Sequence, residues 1–333
     1  MLGAFAGAAS AQSSVTLFGI VDVNARYVKN GDQNVKQLGT DGINSSRLGF
    51  RGVEDLGGGL KAGFWIEGAL SPDNGTAGGQ TWRRRSTVSL LGGFGEVRLG
   101  RDYTPTFWNM TVFDPFGTNG VGSLLNLVAS GPVTTPLASG ANTLVRADNS
   151  IGYFLPSGIG GLYGQAMVAA GEGTSGNKYA GGRIGYAAGP VDIATAYGQT
   201  QIAGDRKYKQ FDLGGSFAFG PAKLTGQYIR MQSDLGGFDV KADLWQVGAI
   251  VALGQGELHA AYDQVKGKED IEGMKARQFA VGYVYNLSKR TALYGTVSDL
   301  KNQGGTSFVV ATPPAAGVNA KSRGFEAGLR HSF

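Results

Sequence analysis

Read in steps of two, the end of the chain separates into two faces. Phe325, Ala327, Leu329, His331 and Phe333 fall on one side, and Glu326, Gly328, Arg330 and Ser332 on the other. This is the alternation of a half-buried β-strand. Segments of about ten residues with the same period recur from 15–24, 45–54 and 60–68, through 84–91, 95–102 and 145–154, to 291–300 and 322–333. Sixteen can be placed along the chain, an even number, and a helical period is nowhere sustained. The connections alternate too. "GGF" (92–94), "AGP" (188–190) and "GP" (220–221) are short turns, whereas the connections between such turns are mostly longer and polar.

A two-faced strand fits either a soluble sandwich, where the apolar face meets a second sheet, or an outer-membrane barrel, where it meets lipid and the polar face lines water. An even strand count with short turns on one rim and long loops on the other points to the barrel. Backbone chemistry explains why such a sheet must close. In hydrocarbon an unpaired N–H or C=O costs several kcal/mol, so a spanning sheet cannot keep a free edge. The expected fold is therefore all-β, a 16-stranded antiparallel transmembrane barrel, too wide for its own side chains to fill and so enclosing an aqueous channel. Tyr153, Phe154, Phe211, Tyr283, Tyr285 and Phe333, near strand ends, are expected to form the interfacial aromatic girdles.

Composition narrows the alternatives. Glycine accounts for 57 of 333 residues, more than twice the average usage of about 7%. Cysteine is absent, which excludes disulfides, thiolate zinc sites and cysteine nucleophiles together. The two histidines, His259 and His331, lie far apart, so no structural metal site is expected, although loop carboxylates could bind a divalent ion between subunits; no cofactor is expected. His259, in "GELHAAYD", is placed on the inner wall. A formal charge of +5 comes from basic residues scattered among 25 acids, not from a continuous stripe, which argues against nucleic acid as a partner. The stretch "GEGTSG" (171–176) matches a nucleotide-binding glycine pattern, but no helical period follows it. The N-terminal "MLGAFAGAASAQSS" carries an A-x-A cleavage pattern at Ala9-Ser10-Ala11. Residues 1–11 are read as the remnant of a signal peptide and 12–333 as a single barrel domain.

One connection breaks the hairpin rhythm. Residues 103–144 form a link of about forty residues, too long for a plain turn and rich in apolar side chains. Exposed to water it would be an aggregation hazard, so it is expected to fold back into the barrel, with "FDPFG" (113–117) as a turn.

The segments "SSVTLFGIVDVNARY", "SRLGFRGVEDLGGGLKAGFWIEG" (46–68), "RRRSTVSLLGGFGEVRLGRD" (83–102), "DNSIGY" (148–153) and the terminal "GLRHSF" resemble the general diffusion porins of Gram-negative outer membranes, closest to the β-proteobacterial trimeric porins. The resemblance implies a homotrimer in the cell outer membrane. Each barrel would be narrowed by its inward third loop and would pass small hydrophilic solutes and anions. It also implies that Phe333 belongs to the signal read by the barrel assembly machinery.

Strand phase then places the charges. If Val88 and Leu90 face lipid, Arg83 and Arg85 face the lumen and Arg84 faces outward unless a bulge shifts the register. If Leu48 and Phe50 face out, Arg47 and Arg51 face in. If Ile151 and Tyr153 face out, Arg146 faces in. By the family resemblance Arg47, Arg85 and Arg146, with Arg83, match the basic wall of the pore constriction, and Asp114 matches the loop's acidic position. The family places proline before that acid; here Pro115 follows it, so Asp114 is either a pore carboxylate or a turn residue. The charge run at 83–85 has a plainer reading as a contact with lipopolysaccharide phosphates. Rings of arginine favour anions, which gives a passive, anion-preferring channel. Two rivals remain: a substrate-specific anion channel for organic acids or phosphate, or a surface adhesin, and a barrel-borne hydrolase, for which no serine and histidine pair stands out.

Overall fold

The computed structural model describes residues 14–76, 81–139, 143–173, 178–202, 204 and 206–333. The signal-like residues 1–11 lie outside them, as does the latter part of the glycine pattern at 171–176. The strands are β1 (Ser14–Asn30), β2 (Gln33–Thr40), β3 (Arg47–Gly57), β4 (Leu60–Ala69), β5 (Arg85–Gly92), β6 (Gly95–Tyr103), β7 (Arg146–Phe154), β8 (Leu162–Ala169) and β9 (Tyr179–Ala188). After them come β10 (Val191–Ile202), β11 (Arg206–Phe219), β12 (Ala222–Asp234), β13 (Asp239–Leu253), β14 (Gly256–Glu269), β15 (Lys275–Asn286), β16 (Thr291–Gln303) and β17 (Lys321–Ser332). One α-helix, α1 (Pro105–Phe113), follows β6.

Neighbouring strands pair antiparallel, and β1 pairs with β17 from Ile20–Ser332 to Asn30–Ser322, which closes the sheet. The seventeen segments make sixteen staves. β2 pairs with the upper half of β1 and β3 with its lower half, so both belong to one stave interrupted at 41–46. The chain steps inward there, and the Asp22 carboxylate accepts the N–H groups of Gly42, Ile43 and Asn44 at 3.1, 3.0 and 2.9 Å. The strand-period reading misses β2 and stops short of the ends of β1, β14 and β16. Those stretches rise above the apolar belt, where the outer face is polar as well and the alternation disappears; Asn34 and Lys36 on β2 are examples.

Within the belt the expected phase holds. Val88, Leu90, Ile151, Val247, Phe279, Val297, Phe325 and Leu329 are exposed on the outside. Tyr153, Phe211, Tyr285 and Phe333 are exposed there too. Phe154 corrects the girdle reading: as the neighbour of Tyr153 it has the opposite phase, and its ring lies in the lumen 4.0 Å from the Arg98 guanidinium carbon.

The described residues of the long connection, 103–139 and 143–144, fold into the lumen. The connection begins with α1, which the sequence period does not reveal because the helix is apolar on most sides, although one side faces the lumen. Its start is nevertheless written in the chain: Thr104 caps the helix through its hydroxyl and Pro105 occupies the first turn. Met110, Leu124, Leu127, Val128 and Leu137 from the loop pack on Ile202, Ile229, Met231, Leu244, Val265 and Leu300, which point inward from the strands. The inner face is thus not polar throughout: under this part of the loop it is apolar.

Below this layer glutamines tie the loop to the wall. Gln227 donates to the Met110 carbonyl at 3.2 Å, and Gln278 to the carbonyls of Gly122 and Ser123 at 3.2 and 3.1 Å. Two wall glycines make room for the loop's rings: a Cβ at Gly214 would collide with Phe113, and one at Gly248 would collide with Pro115. Gly214→Ala is expected to destabilise the protein by about 1–3 kcal/mol through overpacking, seen as earlier unfolding on heating. Gly226→Ala, where the nearest atom stands 3.8 Å away, serves as the control and should leave the transition where it is.

Candidate functional site

The loop fills one side of the barrel and leaves an opening against β3 to β7. A cavity of about 830 Å³ lies there. Five arginines line it, Arg47, Arg84, Arg85, Arg98 and Arg146, against two carboxylates, Glu67 and Asp102. The facing wall is α1 and the turn after it, which contributes Trp108, Thr111, Thr118 and Asn119 and no acid.

The two carboxylates are unevenly shared. Glu67 accepts from Arg84 Nε at 2.5 Å and from the Trp65 indole at 3.1 Å, while Arg47 reaches it only at 3.5 Å. Arg98 binds Asp102, and it also engages both oxygens of Glu96 at 2.9 and 3.0 Å; Arg85 stands 3.8 Å from Asp102. Arg146 has no carboxylate partner among the described residues. It donates to the Arg84 carbonyl at 2.6 Å and to the Tyr103 hydroxyl at 2.8 Å. Arg84 and Arg98 are therefore largely neutralised in place, and Arg47, Arg85 and Arg146 hold the surplus positive charge.

Aromatic rings fix these long side chains. The Arg85 guanidinium lies 4.5 Å from the Trp65 ring centre, with Arg51 5.1 Å from the same ring, and Arg146 lies 4.4 Å from that of Tyr103. A guanidinium stacked on a ring stays charged and loses little of its hydrogen-bonding edge. Arg51, Arg85 and Arg98 also line a second recess of about 390 Å³ nearer the short-turn rim, so the basic track continues from the cavity toward that rim.

The structure brings Arg47, Arg85 and Arg146 together as the phase reading expects. Arg83 stands apart: it is exposed and outside the cavity, with its carbonyl accepting from Arg101 at 2.5 Å. Arg84, assigned outward by phase, is buried and points into the cavity. β5 begins only at Arg85, so the two-residue alternation does not extend to 83 and 84. Arg98 is missed by the sequence reading, although counting back from Leu99, which is exposed to lipid, gives its inward phase.

Asp114 is not brought to the arginines. It is buried, and its carboxylate accepts the N–H groups of Phe116, Thr118 and Leu124 at 3.1, 2.9 and 3.2 Å and the Gln246 amide at 3.1 Å. Burial pushes this carboxyl above its ordinary range, against the pull of those four hydrogen bonds. Beside it, the His259 Nδ1 lies 2.6 Å from the Pro115 carbonyl and holds the same turn against the wall.

A sequence model described as Gram-negative porin matches residues 1–305. The chain belongs to this family. It is 42% identical to outer membrane porin protein 32 of Delftia acidovorans, over 99% of this chain and 97% of that one. It is 29% identical to an outer membrane porin protein of Bordetella pertussis, over 100% and 98%. Among solved structures, the anion-selective porin from Comamonas acidovorans superposes with a TM-score of 0.87 at 40% identity, covering 97% of this chain and 100% of that one. The porin therefore resides in the outer membrane of a Gram-negative bacterium, and its lumen is a water-filled path for passive diffusion of solutes.

Proposed function

We propose that this porin prefers anions and that Arg47, Arg85 and Arg146 set the preference. The observation that carries the reading is the charge balance of one cavity, five guanidinium groups against two carboxylates, with both carboxylates engaged by Arg84 and Arg98. An anion entering meets donors that no carboxylate holds closely. The guanidinium charge persists at any physiological pH, and its planar fork suits carboxylate and phosphate groups. In a wet passage the attraction biases ions without trapping them, as conduction requires. The similarity to a porin described as anion-selective supports the same reading.

Residues 103–144 act in this reading as the constriction loop of a single barrel domain spanning 12–333, preceded by the signal remnant 1–11. Arg83 contributes to the approach to the aperture, Asp114 shapes the loop, and Phe333 serves the barrel assembly machinery. The barrel works as a homotrimer whose apolar belt meets outer-membrane lipid and whose upper rim meets lipopolysaccharide. A planar-bilayer recording under a potassium chloride gradient tests the core of this proposal, with conductance steps in threes and a reversal potential of the sign set by chloride as the expected result. A reversal potential of cationic sign would remove it. The preference should also fade with salt, because the Debye length falls from about 10 Å at 0.1 M to about 3 Å at 1 M. Equal selectivity at both concentrations would mean that pore width, not charge, does the sorting.

A further inference from the structure

Nearly every large apolar side chain of the constriction loop is buried, yet Trp108 on α1 is 41% exposed and turned into the cavity. It is the one exposed large apolar residue among the described residues of the loop. Its setting is specific. The Trp108 ring lies 5.7 Å from that of Tyr103, tilted by 37°, and Phe107 stacks on Tyr103 at 5.3 Å. The Tyr103 hydroxyl in turn accepts from Arg84 at 2.9 Å and Arg146 at 2.8 Å. Trp108 and the guanidinium groups of Arg84 and Arg146 thus share Tyr103 as a common neighbour and line the same cavity, which offers an aromatic surface beside cationic donors.

We propose that the constriction holds a binding subsite for aromatic carboxylates, with Trp108 as the residue that reads the ring. This rests on the anion preference proposed above. A carboxylate takes the paired N–H groups of an arginine, and a planar ring attached to it lies against the exposed indole in offset or edge contact. Small pockets recognise ligands in this way, with apolar walls around a few fixed polar groups. An aliphatic carboxylate makes the first contact and lacks the second, so the loop discriminates by the body of the solute and the wall by its charge.

The test uses the purified porin in planar bilayers, with chloride as the current carrier and benzoate, cyclohexanecarboxylate and acetate as added blockers. The wild type is expected to be blocked by benzoate at lower concentration than by the other two. The aromatic contact accounts for about threefold to tenfold in the half-blocking concentration. Trp108→Leu, which keeps an apolar side chain at an exposed position, should erase the benzoate advantage while the porin still prefers chloride; Trp108→Phe should retain part of it. An unchanged benzoate-to-acetate ratio in Trp108→Leu overturns the proposal, as does a wild type that prefers chloride but does not distinguish the three acids. A wild type indifferent to chloride fails at the earlier step and overturns the anion reading together with this one.

Discussion

Glutamine in place of Arg47, Arg85 and Arg146 together is expected to abolish the anion preference. The substitution removes three guanidinium groups and leaves Arg84 and Arg98 facing Glu67 and Asp102 in the cavity, two cations against two anions already bound to one another. Unit charges about 4 Å apart interact with roughly 4 kcal/mol at an effective dielectric of 20, and with less in a hydrated passage. Even a fraction of that for each arginine is enough to bias chloride over potassium several-fold. The reversal potential under a salt gradient should fall to zero or cross to the cationic side, while the conductance rises modestly because glutamine is smaller. Arg84→Gln alone is a different perturbation. It strips Glu67 of its 2.5 Å partner and leaves a nearly buried carboxylate to Arg47, so the effect should appear first as a less heat-resistant barrel. A triple variant that still prefers chloride would show that the preference arises elsewhere along the lumen.

The barrel is legible in the sequence because the bilayer imposes its own test on every strand: residues of one phase must face hydrocarbon. That constraint gives the sixteen staves, the closure of β1 on β17 and the inward direction of Arg47, Arg51 and Arg85. It weakens where hydrocarbon ends. β2 is hard to read since polar residues such as Asn34 and Lys36 stand at its outward positions, and Arg83 and Arg84 exchange their expected directions because they lie just ahead of the first residue of β5. The loop is legible as a buried segment through its apolar content, but its internal form is not. A helix with apolar residues on most sides leaves no period, and only the Thr104-Pro105 start betrays it. The part of the lumen that receives the loop is equally hidden: Ile229, Met231 and Leu244 look like interruptions of a polar phase until the loop residues that cover them are known. Part of the glycine excess has the same cause, since Gly214 and Gly248 are wall positions where any side chain would displace the loop.

Asp114→Ala is expected to widen and destabilise the aperture. Four donors converge on this carboxylate, three backbone N–H groups and the Gln246 amide, in a region closed to water. Each donor left unpaired costs about 1–3 kcal/mol, so the turn that follows cannot keep its form without the acceptor. That turn carries Gly117, Thr118 and Asn119 to the cavity opposite the arginines. The rest of the loop is held independently by its apolar contacts with the wall, and the strands keep their ladder bonds. The expected result is therefore local: higher single-channel conductance, a noisier open state and weaker anion preference, with the unfolding temperature of the barrel little changed. Asp114→Asn retains one acceptor oxygen and should fall between the wild type and the alanine variant. The outcome also separates the two readings of this residue. If Asp114 acted as a charge in the passage, both substitutions would strengthen anion preference equally and leave conductance and noise alone. A carboxylate that organises its own turn predicts the reverse order, with asparagine mild and alanine severe.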